Sequence, residues 1–277
     1  MTRPTLRIFS AVVLATSVTA SGVYGLPSLK LAICTINDAG STAIFRLLHA
    51  AEGKKNFDTL VIDEHRAEVA FPSYYGSKLK ELLADADWTK FVVLRDPVER
   101  FASAFLHKCV RSTKKVGCPE TDVNRSADVL VVLTALESEL SVNNIDAHFR
   151  PFSISCNLKT SLSSYKAILF DDLHAGLVTM LETIPRLADA KRKSLLSAVS
   201  VLFPHVASAT KVDARAAPPG SSLALAQGWR DAANTIPIGS RPYPPDALIL
   251  PRLKKLYSED FELYDNFMKK RGQPNTS

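Results

Sequence analysis

Apolar residues along this chain fall into two alternating kinds of run. Short continuous runs bounded by turn residues lie at 30–36, 58–63, 91–94 and 165–170. Runs of that length, rich in Val, Ile, Leu and Phe, are the mark of buried strands. Between and after them, apolar positions recur at three- and four-residue spacing over 42–51, 77–84, 97–109, 127–140, 172–183, 190–202 and 253–270. That spacing predicts helices with one buried stripe. Strands alternating with helices argue for an α/β fold in three layers, a central mainly parallel sheet flanked by helices. Residues 207–245, rich in Pro, Gly, Ser and Ala, are expected to form a long loop or lid.

The start of the chain reads differently. Arg3 and Arg7 precede an apolar stretch from Ile8 to Leu26 diluted by Ser and Thr. This is a secretory leader, with a length near the roughly 20 residues that span a bilayer. The arginines place the N-terminus on the cytoplasmic side and the rest in the lumen. Val18, Thr19 and Ala20 also form a small-residue cleavage pattern, so a signal anchor and a cleaved signal peptide both stand. Residues 1–26 are set aside as leader and 27–277 as one domain.

Charge and cysteine usage narrow the class. The net charge of +6 suits an anionic ligand or polymer. No Lys/Arg block with interleaved aromatics points to nucleic acid. Cys34, Cys109, Cys118 and Cys156 fit an oxidising compartment, with three possible pairings. Cys109 and Cys118 flank a short polar loop, which favours that bridge and leaves Cys34 with Cys156. There is no Cys-x-x-Cys and no histidine pair at ligand spacing, so no metal is expected. In a secretory chain, Asn124-Arg-Ser126 and Asn275-Thr-Ser277 are glycosylation sequons.

The candidate chemistry gathers at the carboxyl ends of the strands, where open α/β sheets bind ligands. The turn after the first strand, Asn37, Asp38, Ala39, Gly40, Ser41 and Thr42, is where a P-loop-like phosphate site belongs. There backbone N–H groups and a helix N-terminus face an anion. The third strand ends at Arg95; Asp96, Pro97 and Glu99 then read as N-cap, first helical residue and capping-box partner. Ser103 lies two turns into that helix, on the face that looks back at Arg95. A fixed cation with a hydroxyl beside it can hold a phosphate. His65, just past the second strand, and His148 are the candidate bases, with Glu64 as fallback; His49, His107, His174 and His205 have weaker positions.

The run Arg95-Asp-Pro-Val-Glu-Arg-Phe-Ala-Ser103 resembles the 3′-phosphate motif of Golgi carbohydrate sulfotransferases, which use 3′-phosphoadenosine 5′-phosphosulfate (PAPS) as co-substrate. The resemblance extends to His107-Lys-Cys109 with Gly117-Cys118, to His148-Phe-Arg-Pro151 with Cys156, to residues 165–170 and to residues 256–264, blocks similar to those of the invertebrate, nematode-type branch. It implies a P-loop-like fold in the Golgi lumen, type II in the membrane if the leader is retained and secreted if not. It implies that Arg95 and Ser103 hold the 3′-phosphate and the 37–42 loop the 5′-phosphosulfate. The acceptor it implies is a glycan hydroxyl, a chondroitin-like polymer being one example, activated by His65 or His148.

Three departures accompany the resemblance. Aligning Cys34, Ile36, Ser41 and Thr42 puts Asp38 where the related enzymes carry a lysine. Lys211, in the late loop, and Arg46, on the first helix, are the cations that could substitute. Phe152 replaces a glutamine, and residues 207–211 replace a His-Ser-Thr type run. The runner-up is therefore a catalytically impaired secretory protein on the same fold that binds glycan or a protein partner. A kinase-like P-loop NTPase is a third and weak reading, because Gly-x-x-x-x-Gly-Lys-Ser/Thr is absent.

Overall fold

The computed structural model describes residues 22–59, 71–111, 117–119, 128–139, 144–185, 187–202 and 246–272. Five strands, β1 Gly22–Leu26, β2 Leu31–Thr35, β3 Ser73–Tyr74, β4 Thr89–Leu94 and β5 Lys166–Leu169, form one sheet in the order β3-β1-β2-β4-β5. β2, β4 and β5 run parallel, with Ile33 opposite Phe91 and Val92 opposite Ala167. β1 is antiparallel to both β2 and β3. The sheet is mixed α/β with a mostly parallel core, as the alternation of apolar runs predicts.

β1 moves the start of the fold. All five of its residues are buried, and Val23 and Tyr24 have no exposed surface. Gly22–Leu26, which the sequence pattern joins to the apolar N-terminal stretch, therefore belongs to the sheet. The apolarity of this strand continues that of the residues before it, so periodicity alone does not mark where the strand starts. A tight turn over Pro27–Leu29, closed by Lys30 in the left-handed region at φ 48°, reverses the chain into β2.

The other expected elements hold with small shifts. α1 is Ser41–Ala51, α2 Gly76–Ala84, α3 Pro97–Phe105, α4 Val129–Ser138, α5 Leu173–Glu182 and α6 Asp189–Leu202. The expected strand at 58–63 lies mostly outside the described residues, and Asp58 and Thr59 are in a turn. Both edges of β2 are taken, by β1 and β4. The helix expected over 253–270 is two, α7 Asp246–Leu256 and α8 Ser258–Gly272. At the break, buried Tyr257 donates its hydroxyl to the Phe149 carbonyl at 2.7 Å. The 207–245 loop and both sequons lie outside the described residues. No described helix is long and apolar enough to cross a membrane.

Two apolar clusters hold these layers. One joins the sheet to α1, α2, α5 and α6 through Leu48, Leu82, Leu177 and Leu195. The other lies between α3, α4 and α7, with Phe101, Leu133, Phe149 and Leu253 at its centre. Two disulfides add cross-links. Cys109–Cys118 closes a short loop, and Cys34–Cys156 ties the central strand β2 to the segment after Pro151, 122 residues away in sequence.

Candidate functional site

A cleft of about 510 Å³ opens at the carboxyl ends of β2 and β4. Its walls include Asn37, Asp38, Gly40, Ser41, Thr42, Arg46, Arg95, Ser103, His107, His148 and Phe170. Most of the residues singled out from the sequence thus meet in one place. His65 and Lys211 lie outside the described residues. Ala39 is buried at 1 % exposure and serves the turn instead, donating its N–H to the Ile36 carbonyl at 3.1 Å.

The loop after β2 is shaped by two left-handed residues, Asp38 at φ 62° and Gly40 at φ 82°. Gly40 caps α1, and any Cβ there would meet the Leu173 side chain at 2.9 Å. Only glycine combines that φ with so close an approach. The N-terminus of α1 thereby faces the cleft with the Ser41 and Thr42 hydroxyls beside it. Asn37 is 1 % exposed, lines the cleft, and its Nδ2 has no acceptor. A buried donor without an acceptor is destabilising by about 1–3 kcal/mol. At a helix N-terminus, an anion is the partner that satisfies it.

The α3 side carries the other half. Asp96 caps α3 by accepting the Val98 and Glu99 N–H groups at 2.8 and 3.2 Å. Burial pushes its carboxyl above the usual range, against those two bonds. Glu99 turns to Arg95, whose Nε lies 3.6 Å from Oε2. The Arg95 guanidinium also stacks on Phe170 at 4.4 Å and donates from Nη1 to the Asp38 carbonyl at 2.9 Å. Ser103 Oγ donates to Asp38 Oδ1 at 3.2 Å. Arg95 and Ser103 therefore converge on a single residue, and that residue is an acid of the protein itself.

Past Phe105 the helix widens into a π-helical segment, Leu106–Arg111. Such widenings recur at functional sites because they re-aim side chains. Here His107 reaches the cleft, and its ring meets that of His148 edge-on at 5.2 Å. His148 Nδ1 lies 2.8 Å from Asp146 Oδ1. Burial raises the Asp146 carboxyl, but hydrogen bonds from the His148 ring and backbone, with the Lys108 charge, hold it below the usual range. A carboxylate on Nδ1–H leaves Nε2 with the basic lone pair. Asp146 carries only a weak signal in the sequence, an acid two positions before a histidine.

Arg100 belongs to the scaffold. It is 1 % exposed and donates to the carbonyls of His148 at 3.1 Å and Arg150 at 2.7 Å. Asp260 of α8, fully buried, lies 3.5 Å from it and accepts the N–H groups of Phe152 and Ser153, both at 2.8 Å. Arg100 thus fixes the segment that carries His148 and takes no place in the cleft.

The model of the Sulfotransferase family matches residues 26–218, well over half the chain. The chain belongs to the sulfotransferase family. No curated protein and no solved structure matches it. A sulfotransferase needs a nucleotide sulfate donor and an acceptor, and this one fits such a donor in part. The α1 N-terminus and the Asn37 amide suit an anionic group. The Ser103 hydroxyl is already given to a carboxylate and does not suit a second one. Among the described residues, no group of three or more His, Cys, Asp or Glu side chains could hold a metal ion.

Proposed function

We propose that this sulfotransferase moves a sulfuryl group from an adenosine phosphosulfate to a hydroxyl of a carbohydrate in the secretory pathway. The observation that carries the reading is the meeting, in one cleft, of an anion-binding helix N-terminus holding an unpaired Asn37 amide and an Asp146–His148 pair. PAPS is the donor that the sequence resemblance implies. His148 takes the proton of the acceptor hydroxyl, and Asp146 orients the ring and stabilises the charge it gains. The N–H groups at the start of α1, the Ser41 and Thr42 hydroxyls and Arg46 face the charge that grows on the donor side as the sulfuryl group leaves.

The cellular setting follows from the cysteines and from β1. All four cysteines are bridged, which supports an oxidising compartment. With the sheet beginning at Gly22, the apolar part of the leader reduces to residues 8–21, shorter than the roughly 20 residues a span needs. Cleavage after Ala20, releasing a luminal or secreted domain, is the reading this supports over a type II anchor.

The test is transfer of radiolabelled sulfate from PAPS and from adenosine 5′-phosphosulfate to a panel of chondroitin, dermatan, heparan and N-linked glycans. Label in at least one glycan, lost in His148→Gln, is the expected result. Retention on a glycan column with no transfer from either donor would leave the impaired, glycan-binding reading, which Asp38 in the anion seat favours.

A further inference from the structure

The cleft offers two places for an anion, and only one of them is open. The first is the α1 N-terminus, where the Asn37 amide lacks an acceptor. The second is the Ser103 hydroxyl with the Arg95 guanidinium close by. It is filled by Asp38, whose carboxylate takes the Ser103 hydroxyl at 3.2 Å while its carbonyl takes Arg95 at 2.9 Å. The other carboxylate oxygen, Oδ2, is enclosed and accepts no hydrogen bond. The carboxylate is thus short of a donor, and the backbone at φ 62° holds it in this seat.

These facts set the chemistry of what can lie against Asp38. A phosphate brings only acceptor oxygens and negative charge, and placing it beside the carboxylate is repulsive. A hydroxyl brings the donor that the carboxylate lacks, after a small turn about the Cβ–Cγ bond. The same choice decides between dinucleotides elsewhere, where an acid binds a ribose hydroxyl and an arginine accommodates a ribose phosphate. Here the arginine is present but turned to the Asp38 backbone, Glu99 and Phe170.

We propose that Asp38 is a specificity-determining residue: its carboxylate fills the seat at Ser103 and makes the cleft select a nucleotide with one anionic 5′ group and a free ribose hydroxyl over a ribose bisphosphate. The inference rests on reading the cleft as a nucleotide site, and it alters that reading only at Ser103. Adenosine 5′-phosphosulfate then becomes the better donor, and PAPS requires Asp38 to leave its seat.

Isothermal titration calorimetry of the full chain with adenosine 5′-phosphate and with adenosine 3′,5′-bisphosphate tests it. Wild type should bind the monophosphate at least about tenfold more tightly. Asp38→Asn, which keeps the size and tolerates the left-handed backbone, should collapse or invert that ratio. Asp38→Gly, with no side chain at the seat, should do the same and covers a failure of the first variant to fold. Wild type that binds the bisphosphate as well as the monophosphate, or better, overturns the selectivity and leaves the nucleotide site standing. Binding of neither ligand by wild type overturns both.

Discussion

His148 Nδ1 lies 2.8 Å from Asp146 Oδ1, and the same oxygen accepts the His148 backbone N–H at 3.0 Å. One acid thus fixes both the ring and the turn that carries it, and Lys108 approaches its other oxygen at 3.9 Å. His148→Gln should lower kcat by about 10²–10⁴, the usual contribution of a positioned base, with KM for the donor little changed. Asp146→Asn should lower kcat by less and shift the pH–rate profile. Steady-state kinetics on an accepted glycan give both values. Equal losses in kcat and in donor affinity would assign His148 to binding instead.

The Asp146 carboxyl also predicts an acid limb of stability. Burial raises it, but the His148 bonds and Lys108 outweigh burial and hold it below its ordinary value. A group lowered in the folded state contributes stability above its unfolded value, about 3.9. That contribution is lost as pH falls through the lower folded value. Urea midpoints from pH 6 to pH 3 should therefore fall more steeply for wild type than for Asp146→Asn. Parallel curves would remove Asp146 from the account.

The buried pair of Arg100 and Asp260 predicts a large effect on stability. Burial raises the Asp260 carboxyl and the Arg100 charge opposes it. Asp260→Ala leaves an uncompensated charge and should destabilise by about 3–5 kcal/mol. Arg100→Met combined with Asp260→Leu removes the charges but leaves the Phe152 and Ser153 N–H groups and the His148 and Arg150 carbonyls without these partners. It should remain about 1–3 kcal/mol below wild type. Chemical denaturation of the three proteins measures this, and full recovery in the double variant would mean that the released N–H and carbonyl groups find water.

The two disulfides should differ in weight. The bridges span 122 and 9 residues, for which loop closure gives about 5 and about 2.5 kcal/mol respectively. Replacing Cys34 and Cys156 by alanine should therefore lower the urea midpoint more than replacing Cys109 and Cys118 by serine. The first pair should also weaken ligand binding, because Cys34 lies three residues before Asn37. Equal effects on stability would point to native strain or residual unfolded-state structure as the controlling factor.

The parts of this molecule legible in its sequence are those set by local pattern. The buried runs ending at Thr35, Leu94 and Leu169 read as strands because both of their faces are apolar. α3 reads as a helix because Asp96 and Pro97 announce its start. Gly22–Leu26 does not read as a strand, since the residues before it are largely apolar as well. The break at Tyr257 was invisible because it depends on a hydroxyl meeting a carbonyl 108 residues away. In the site, Arg95, Ser103 and the 37–42 loop were found by position at strand ends. Asp146 and the reach of His107 were not, because an acid beside a histidine is common and a π-helical turn leaves no local mark. Arg100, in the same run as Arg95 and Ser103, serves the scaffold instead, which only its burial shows.

The clasp between Asp260 and residues 152–153 gives the protein a timetable. The acid that holds this segment is encoded 108 residues after Phe152. At about 5–20 residues per second, the ribosome delivers it roughly 5–20 s later. Through that interval β1, β2 and β4 can pair and α1 can form, while Arg100 waits without its counter-charge and the Phe152 and Ser153 N–H groups wait without their acceptor. The 37–42 side of the cleft can therefore assemble during synthesis, and the segment after His148 is clasped only as the last helix arrives.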